Sequence, residues 1–451
     1  LVNQEDSKLK HFFNKLHRIN STSYTIMISL AIMSIVSVVF IKEFNISKYV
    51  ISTLMMTSSI LLAIRCRKAK MLFLLTSLIA YITISAVMLH YFFLPHFKEV
   101  DTFWFLCTSQ YSLMYARSML LTITILGIFL TPNALKKAEE ASVPIKEVRR
   151  KNNPIISYVG LLGIAYILIF CITRSSGSDY VANTNSLYEY GILVFLMVWY
   201  YSKENKIAKI ILAICSVIYI AQALFYGVRS SAFILGGIIF MMALKKSPGI
   251  YMVLLTLAGI VSSNLFIVYR NHKDLSIIEL LQRFFTNSKA TDFFSVTAGD
   301  SYYTGIGIVA SRQFSDAPLN HLFKFVISIF TGGRSSLADG SVIENFTKTI
   351  IQIPGGGIYP AYFYFYGEYI GVVLGAVLLG LIIRWYYTHK TSYHILATYL
   401  IAVFSLRWFL YSPLPLFRMC IVVYSALFFL CYYFDKLYVK YLSKIKSLKR
   451  E

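Results

Sequence analysis

Apolar stretches of about 18 residues or more recur from one end of this chain to the other, and a helix of that length matches the roughly 30 Å hydrocarbon core of a bilayer. That feature restricts the fold more than any other. In hydrocarbon each backbone N–H and C=O has to be satisfied inside the protein, so such segments become helices packed side by side. The charge content agrees, because only 14% of the residues are charged whereas a soluble protein carries about a quarter. The chain is expected to be an all-α polytopic membrane protein, and a soluble enzyme is excluded.

Hydropathy read in windows of about 19 residues gives twelve expected spans, near 23–41, 47–64, 71–93, 104–130, 154–173, 186–202, 210–227, 230–244, 250–269, 360–383, 392–410 and 416–434. Orientation follows from the basic residues. A cytoplasmic N-terminus puts RCRKAK (65–70), KKAEEASVPIKEVRRK (136–151), KENKIAK (203–209), LKK (244–246), RWYYTHK (384–390) and the tail from Asp435 on one side, and these with the N-terminus hold 27 of the 43 Lys and Arg. The positive-inside rule then places both termini in the cytoplasm. The organisation expected is a cytoplasmic N-terminus (1–22), nine transmembrane helices (23–269), a large outer loop (270–359), three more helices (360–434) and a basic cytoplasmic tail (435–451). No cleavable leader is expected, since the first 20 residues are polar and basic and lead into a full-length span.

The loop over 270–359 is about 90 residues long, and a connection of that length is functional or disordered. It alternates amphipathic pieces, SIIELLQRFF (276–285) and HLFKFVISIF (321–330), with Gly-rich turns at 331–334 and 354–357. The amphipathic pieces are too short to span and are expected at the interface or capping the bundle. The glycine run Gly355–Gly357 lacks the Lys and Ser/Thr of a P-loop and is expected to be a flexible hinge into the tenth span.

Several function classes drop out. A net charge of +22 could serve nucleic acid only if gathered on one face, and here it is divided among loops. The six cysteines form no CxxC pair, so neither a disulfide framework nor a zinc site is indicated, and no metal or cofactor is expected. No internal repeat is visible, which argues against an inverted-repeat transporter.

What remains is a collection of arginines on the outer face: Arg229 in FYGVRSSAF, Arg270 closing the ninth span, Arg283, Arg312 and Arg334 in the loop, and Arg418 opening the last span. Any one of them could snorkel from a span end. Together they oppose the positive-inside bias, and guanidinium forks onto phosphate oxygens bidentately, so the group points to a polyanionic headgroup arriving from the membrane. Arg117 and Arg407 lie deeper and each needs a partner or a wet cavity. Glu368, in YFYFYGEYIG, is expected to be embedded in the outer half of the tenth span. The loop acids Asp292, Asp300, Asp316, Asp339 and Glu344, with His272 and His321, are further proton-transfer candidates. Tyr359, Tyr362, Tyr364, Tyr366 and Tyr369 fall where an aromatic belt is expected, and such rings also suit the apolar faces of sugars.

The segments FYGVRSSAFILGGIIFM (225–241), FIVYRNHKD (266–274), ISIFTGGRSSLADGSVIENF (327–346), GGGIYPAYFYFYGEYIGVVLGAVLLGLIIRWYY (355–387) and LFRMCIVV (416–423), on about twelve spans with one large outer loop, resemble the bacterial O-antigen or oligosaccharide repeat-unit polymerases of Wzy type. The resemblance implies a bundle like that of the C-type membrane glycosyltransferases, a metal-independent transfer at the periplasmic face of the inner membrane, and no cofactor. It implies polyprenyl-pyrophosphate-linked oligosaccharide as donor and acceptor, surrounding membrane lipids, and a chain-length regulator as a further partner. On that reading Arg229, Arg270 and Arg334 would neutralise the departing pyrophosphate, and Glu368, Asp339 or His321 would take the proton of the acceptor hydroxyl. Arg283, Arg312, Arg418, Tyr359 and Tyr362 would bind substrate. The rivals are an O-antigen ligase, with a similar donor, and a lipid-linked oligosaccharide flippase or other transporter.

Overall fold

The computed structural model describes residues 22–37, 44–92, 110–142, 148–174, 182–184, 186–226, 228–243, 278–279, 296–331, 342–351, 353 and 355–448. In chain order its helices are α1 (Thr22–Ser37), α2 (Phe44–Cys66), α3 (Lys70–Val87, running into a π-helical turn Met88–Phe92), α4 (Gln110–Phe129), α5 (Pro132–Ala141), α6 (Pro154–Phe170), α7 (Ser186–Tyr201), α8 (Lys206–Phe225) and α9 (Arg229–Ala243). After these come α10 (Val296–Ser311), α11 (Pro318–Thr331), α12 (Val342–Ile350), α13 (Pro360–Tyr387), α14 (Ser392–Val403), α15 (Ser405–Trp408) and, after a π-helical stretch Leu416–Val423, α16 (Tyr424–Leu448). Between α6 and α7 a short antiparallel ribbon pairs β1 (Ile172–Arg174) with β2 (Ala182–Thr184).

A helix overlaps each of eleven of the twelve segments expected to span, though not over their full lengths, and the ninth, 250–269, lies outside the described residues. Six helical segments are long and apolar enough to cross a bilayer: Tyr49–Cys66, Lys70–Phe92, Gln110–Phe129, Lys206–Phe225, Pro360–Tyr387 and Leu416–Ile445. The chain is a helical membrane protein. Local sequence sets where several helices begin. Asn153 accepts the Ile156 N–H at 3.2 Å ahead of Pro154, Thr131 accepts that of Ala134 ahead of Pro132, and Asn205 accepts that of Ala208. On α6 the stripe Ile155, Val159, Leu162, Tyr166 and Ile169 points outward while Ser157, Leu161, Ile164 and Ile167 are buried. An apolar stripe of that size suits lipid as its solvent.

Basic segments assigned by sequence to one side meet one another. Lys151 Nζ lies 2.7 Å from Asp435 of α16, and Lys390 lies 3.6 Å from Glu140 of α5. The buried Arg65 guanidinium donates to the carbonyls of Gly127 at 3.0 Å and Leu130 at 2.9 Å, capping the C-terminal end of α4.

The long connection departs from expectation in two places. One of its helices, α10, is buried along nearly its whole length against α3, α4 and α13 rather than lying on a surface. Its glycines allow this, because a Cβ at Gly305 would come within 2.3 Å of the Tyr115 ring and one at Gly307 within 2.9 Å of Ile353. The amphipathic piece at 321–330 does form an edge helix, α11, which buries Phe325 and Ser328 and exposes Leu319, Phe323, Val326 and Phe330; the piece at 276–285 lies almost wholly outside the described residues. The second correction concerns the glycine run. A Cβ at Gly356 would stand 2.2 Å from the Tyr411 carbonyl oxygen, and one at Gly357 3.1 Å from the Gly305 backbone. These glycines permit close backbone contact, and the flexible hinge is withdrawn.

Candidate functional site

The site is built around a break in α13. Residues 367 and 368 leave helical geometry, with Gly367 at φ −157°, ψ 29° and Glu368 at φ 52°, ψ −139°. Glu368 is the one non-glycine residue with positive φ among the described residues. Such a conformation costs about 1–3 kcal/mol and persists where the surrounding structure imposes it. The glycine spacing of YGEYIGVVLG makes the break feasible: the Phe363 carbonyl lies 2.1 Å from where a Gly371 Cβ would be, and the Phe363 ring 2.4 Å from where a Gly375 Cβ would be.

Two arginines converge on this break. Arg312, in the 3-10 turn after α10, places its guanidinium 4.0 Å from the Glu368 carboxylate, and its buried Nε has no hydrogen-bond partner among the described residues. Arg117, from α4, is buried and faces the Tyr369 phenol. Tyr364 stands edge-on to Tyr369 with ring centroids 5.3 Å apart, within the electrostatic reach of Arg312, Glu368 and Tyr111. Tyr111 donates to Gln313 Oε1 at 2.7 Å. The Arg312 guanidinium stands beside the Glu368 carboxylate, and the next residue, Tyr369, faces the Arg117 guanidinium, so guanidinium and phenol groups gather at the break. Such a set can bind an anion.

The Glu368 side chain is 63% exposed within the chain rather than packed among the helices. The break rotates it away from the helix packing and toward Arg312. Tyr359 and Tyr362 are corrected. Both are buried, and neither forms an aromatic belt or offers a free ring face to a sugar. The Tyr359 hydroxyl donates to the Gly375 carbonyl at 3.0 Å, and its ring packs against Phe363, Trp408 and Phe409. The Tyr362 hydroxyl reaches Glu344 and the Tyr411 carbonyl.

Arg418, expected to bind substrate, donates from Nε to the Ser328 carbonyl at 2.8 Å and from a second nitrogen to the same oxygen, so it caps the last turn of α11. His321 sits between the rings of Phe346 (5.4 Å) and Phe365 (5.3 Å). Burial, with Lys324 beside it, holds its pKa below the ordinary imidazole value. Arg229 begins α9 but its side chain is outside the description, as are Arg270, Arg283, Arg334, Asp339, Asp292 and His272 altogether. Asp300 lies on α10 and Asp316 in the turn leading to α11.

Of the deep arginines, Arg407 is ion-paired with Glu189 of α7. Sequence reasoning gave Arg117 no role at the outer site and overlooked Gln313 and Glu189. The available signal for Arg117 was its cost in an apolar span, which demands polar company. Comparisons with protein-family models, curated proteins and solved structures return no match for this chain.

Proposed function

We propose that this chain is a membrane-embedded, metal-independent glycosyltransferase of the O-antigen polymerase kind. It would carry about twelve spans in a C-type bundle with both termini in the cytoplasm. It would transfer a growing glycan from polyprenyl pyrophosphate onto the terminal sugar of a new lipid-linked repeat unit at the periplasmic face of a bacterial inner membrane. The observation that carries the reading is the meeting of Arg312 with the strained Glu368, beside Tyr369, which faces Arg117. The leaving group of such a transfer is a lipid pyrophosphate, and fixed cations lower the barrier by neutralising charge that grows on the departing oxygen. The carboxylate of Glu368 would take the acceptor hydroxyl's proton. Arg229, Arg270 and Arg334 remain proposed members of the same cationic set.

The test supplies purified protein with lipid-linked repeat units and excess chelator and reads the glycan ladder. Wild type is expected to polymerise. Arg312→Lys keeps the charge but loses the fork, and losing a charge-assisted bond of about 1.5–3 kcal/mol predicts a fall of about ten- to a hundred-fold. Wild-type rates in Arg312→Lys and Arg312→Ala refute the anion-site assignment. A single addition to a lipid core would mark a ligase, and movement of unaltered substrate across the bilayer a flippase.

A further inference from the structure

The acid on α12 makes a set of contacts that one proton cannot satisfy. The Tyr362 hydroxyl oxygen lies 2.5 Å from Glu344 Oε1 and 2.5 Å from the Tyr411 carbonyl oxygen, and it receives the Gly357 N–H at 3.2 Å. A phenol has one hydrogen to give, whereas a carboxylate and a carbonyl both only accept. With Glu344 ionised, one of the two short contacts would set lone pairs against each other with no proton between them. A proton on Glu344 completes the pattern. The carboxylic acid donates to the phenol oxygen, the phenol donates to Tyr411, and the Gly357 N–H fills the phenol's second lone pair.

The described groups around Glu344 belong to four elements besides its own. From α13 come the phenols of Tyr362 and Tyr366, and from the turn after α15 the Tyr411 carbonyl and the Ser412 hydroxyl. α10 meets α12 through the uncharged pair Ser311 and Thr347, 3.0 Å apart. From α11 come His321, which reaches α12 at Phe346, and Lys324 beside it; on α12 itself Lys348 is exposed one turn on.

We propose that Glu344 is a neutral carboxylic acid at neutral pH and that its proton latches α12, and the turn at Tyr411, onto the first half of α13. In alkaline solution the carboxyl gives this proton to hydroxide, forming water. Two acceptors then compete for one phenol hydrogen, and α12 comes away. Tyr366 immediately precedes the break at Gly367–Glu368, so the latch also steadies the segment that presents Glu368. The inference stands apart from the proposed reaction and concerns the protonation and docking of one helix.

The experiment uses the full-length protein in lipid nanodiscs. Infrared spectra at neutral pH are compared for wild type, Glu344→Gln and Tyr362→Phe. Wild type should show a protonated-carboxyl C=O band that Glu344→Gln lacks and that fades in alkali. Absence of any band sensitive to Glu344→Gln at neutral pH overturns the proposal. Tyr362→Phe must move the band in frequency, and an unmoved band overturns the shared-proton geometry. Hydrogen exchange over 342–350 is read as the ratio of wild type to Glu344→Gln at each pH, so that the intrinsic pH dependence of exchange cancels. The carboxamide mimics the neutral acid, so the ratio should be near one at neutral pH and rise about ten-fold in alkali, as expected for loss of a buried hydrogen bond. Faster exchange in Glu344→Gln than in wild type at neutral pH would mean that a carboxylate, not the acid, holds the helix.

Discussion

Replacing Glu368 by Gly and by Ala separates the backbone from the carboxylate. Both substitutions remove the interaction with Arg312, which at 4.0 Å and with a 63% exposed carboxylate contributes about 0–1 kcal/mol, and that loss cancels between the two variants. What differs is the conformation at φ 52°, ψ −139°. Alanine keeps the Cβ and with it a strain of about 1–3 kcal/mol, whereas glycine adopts the conformation freely. Glycine loses about 0.5–1 kcal/mol more chain entropy than alanine on folding. The net expectation is that Glu368→Gly is at least as stable as Glu368→Ala, by about 0–2.5 kcal/mol. At an ordinary helical position the order is the reverse, with glycine less stable by about 0.5–1 kcal/mol, so the sign alone decides. The measurement is reversible denaturant unfolding in mixed micelles, with glycan synthesis assayed alongside. Neither variant should polymerise, since both lack the carboxylate. Alanine the more stable, as at an ordinary helical position, would refute the strained break and remove the argument that the fold holds Glu368 in place for a purpose.

Three further outcomes are expected. Arg407→Leu alone should destabilise by about 3–5 kcal/mol, because it leaves Glu189 charged without its partner, and Arg407→Leu with Glu189→Leu should recover most of that loss; unfolding of the single and double variants checks it. The lowered pKa of His321 means that its contribution to stability is whole above the free imidazole value of about 6.5 and is lost as pH falls through the lower folded value. His321→Phe should therefore flatten the acid limb of stability against pH, and an unchanged limb assigns it elsewhere. A cysteine placed in 285–350 should react with an impermeant reagent from the periplasmic side and one in 136–151 should not, whereas reaction of both from one side would overturn the topology.

The helices were legible because bilayer physics writes them into composition: a run of apolar residues long enough to cross hydrocarbon has few alternatives to a helix. Asn153, Thr131 and Asn205 as helix caps were equally local, each using a side chain three residues from the N–H it accepts. α10 was not legible as a buried helix, because VTAGDSYYTGIGIVAS carries polar side chains whose partners come from elsewhere in the chain. Tyr91 and Tyr302 share a hydroxyl contact at 3.1 Å across 211 residues, and no window on the sequence contains both.

The same division runs through the site. Sequence alone determined that arginine on the outer side needs an explanation and that Arg117 and Arg407 need partners, since the cost of a charge in hydrocarbon is a property of the residue and its span. Only the tertiary structure decided that Arg407 meets Glu189, that Arg312 meets Glu368 while Arg117 faces the neighbouring Tyr369, and that Arg418 caps α11. It also buried Tyr359 and Tyr362, which read locally as belt residues, because the close packing at Gly356 and Gly357 draws the start of α13 into the bundle. The physical reason is range. Hydropathy and capping act within a few residues along the chain, whereas ion pairs, backbone strain and burial are set by whichever helix arrives alongside.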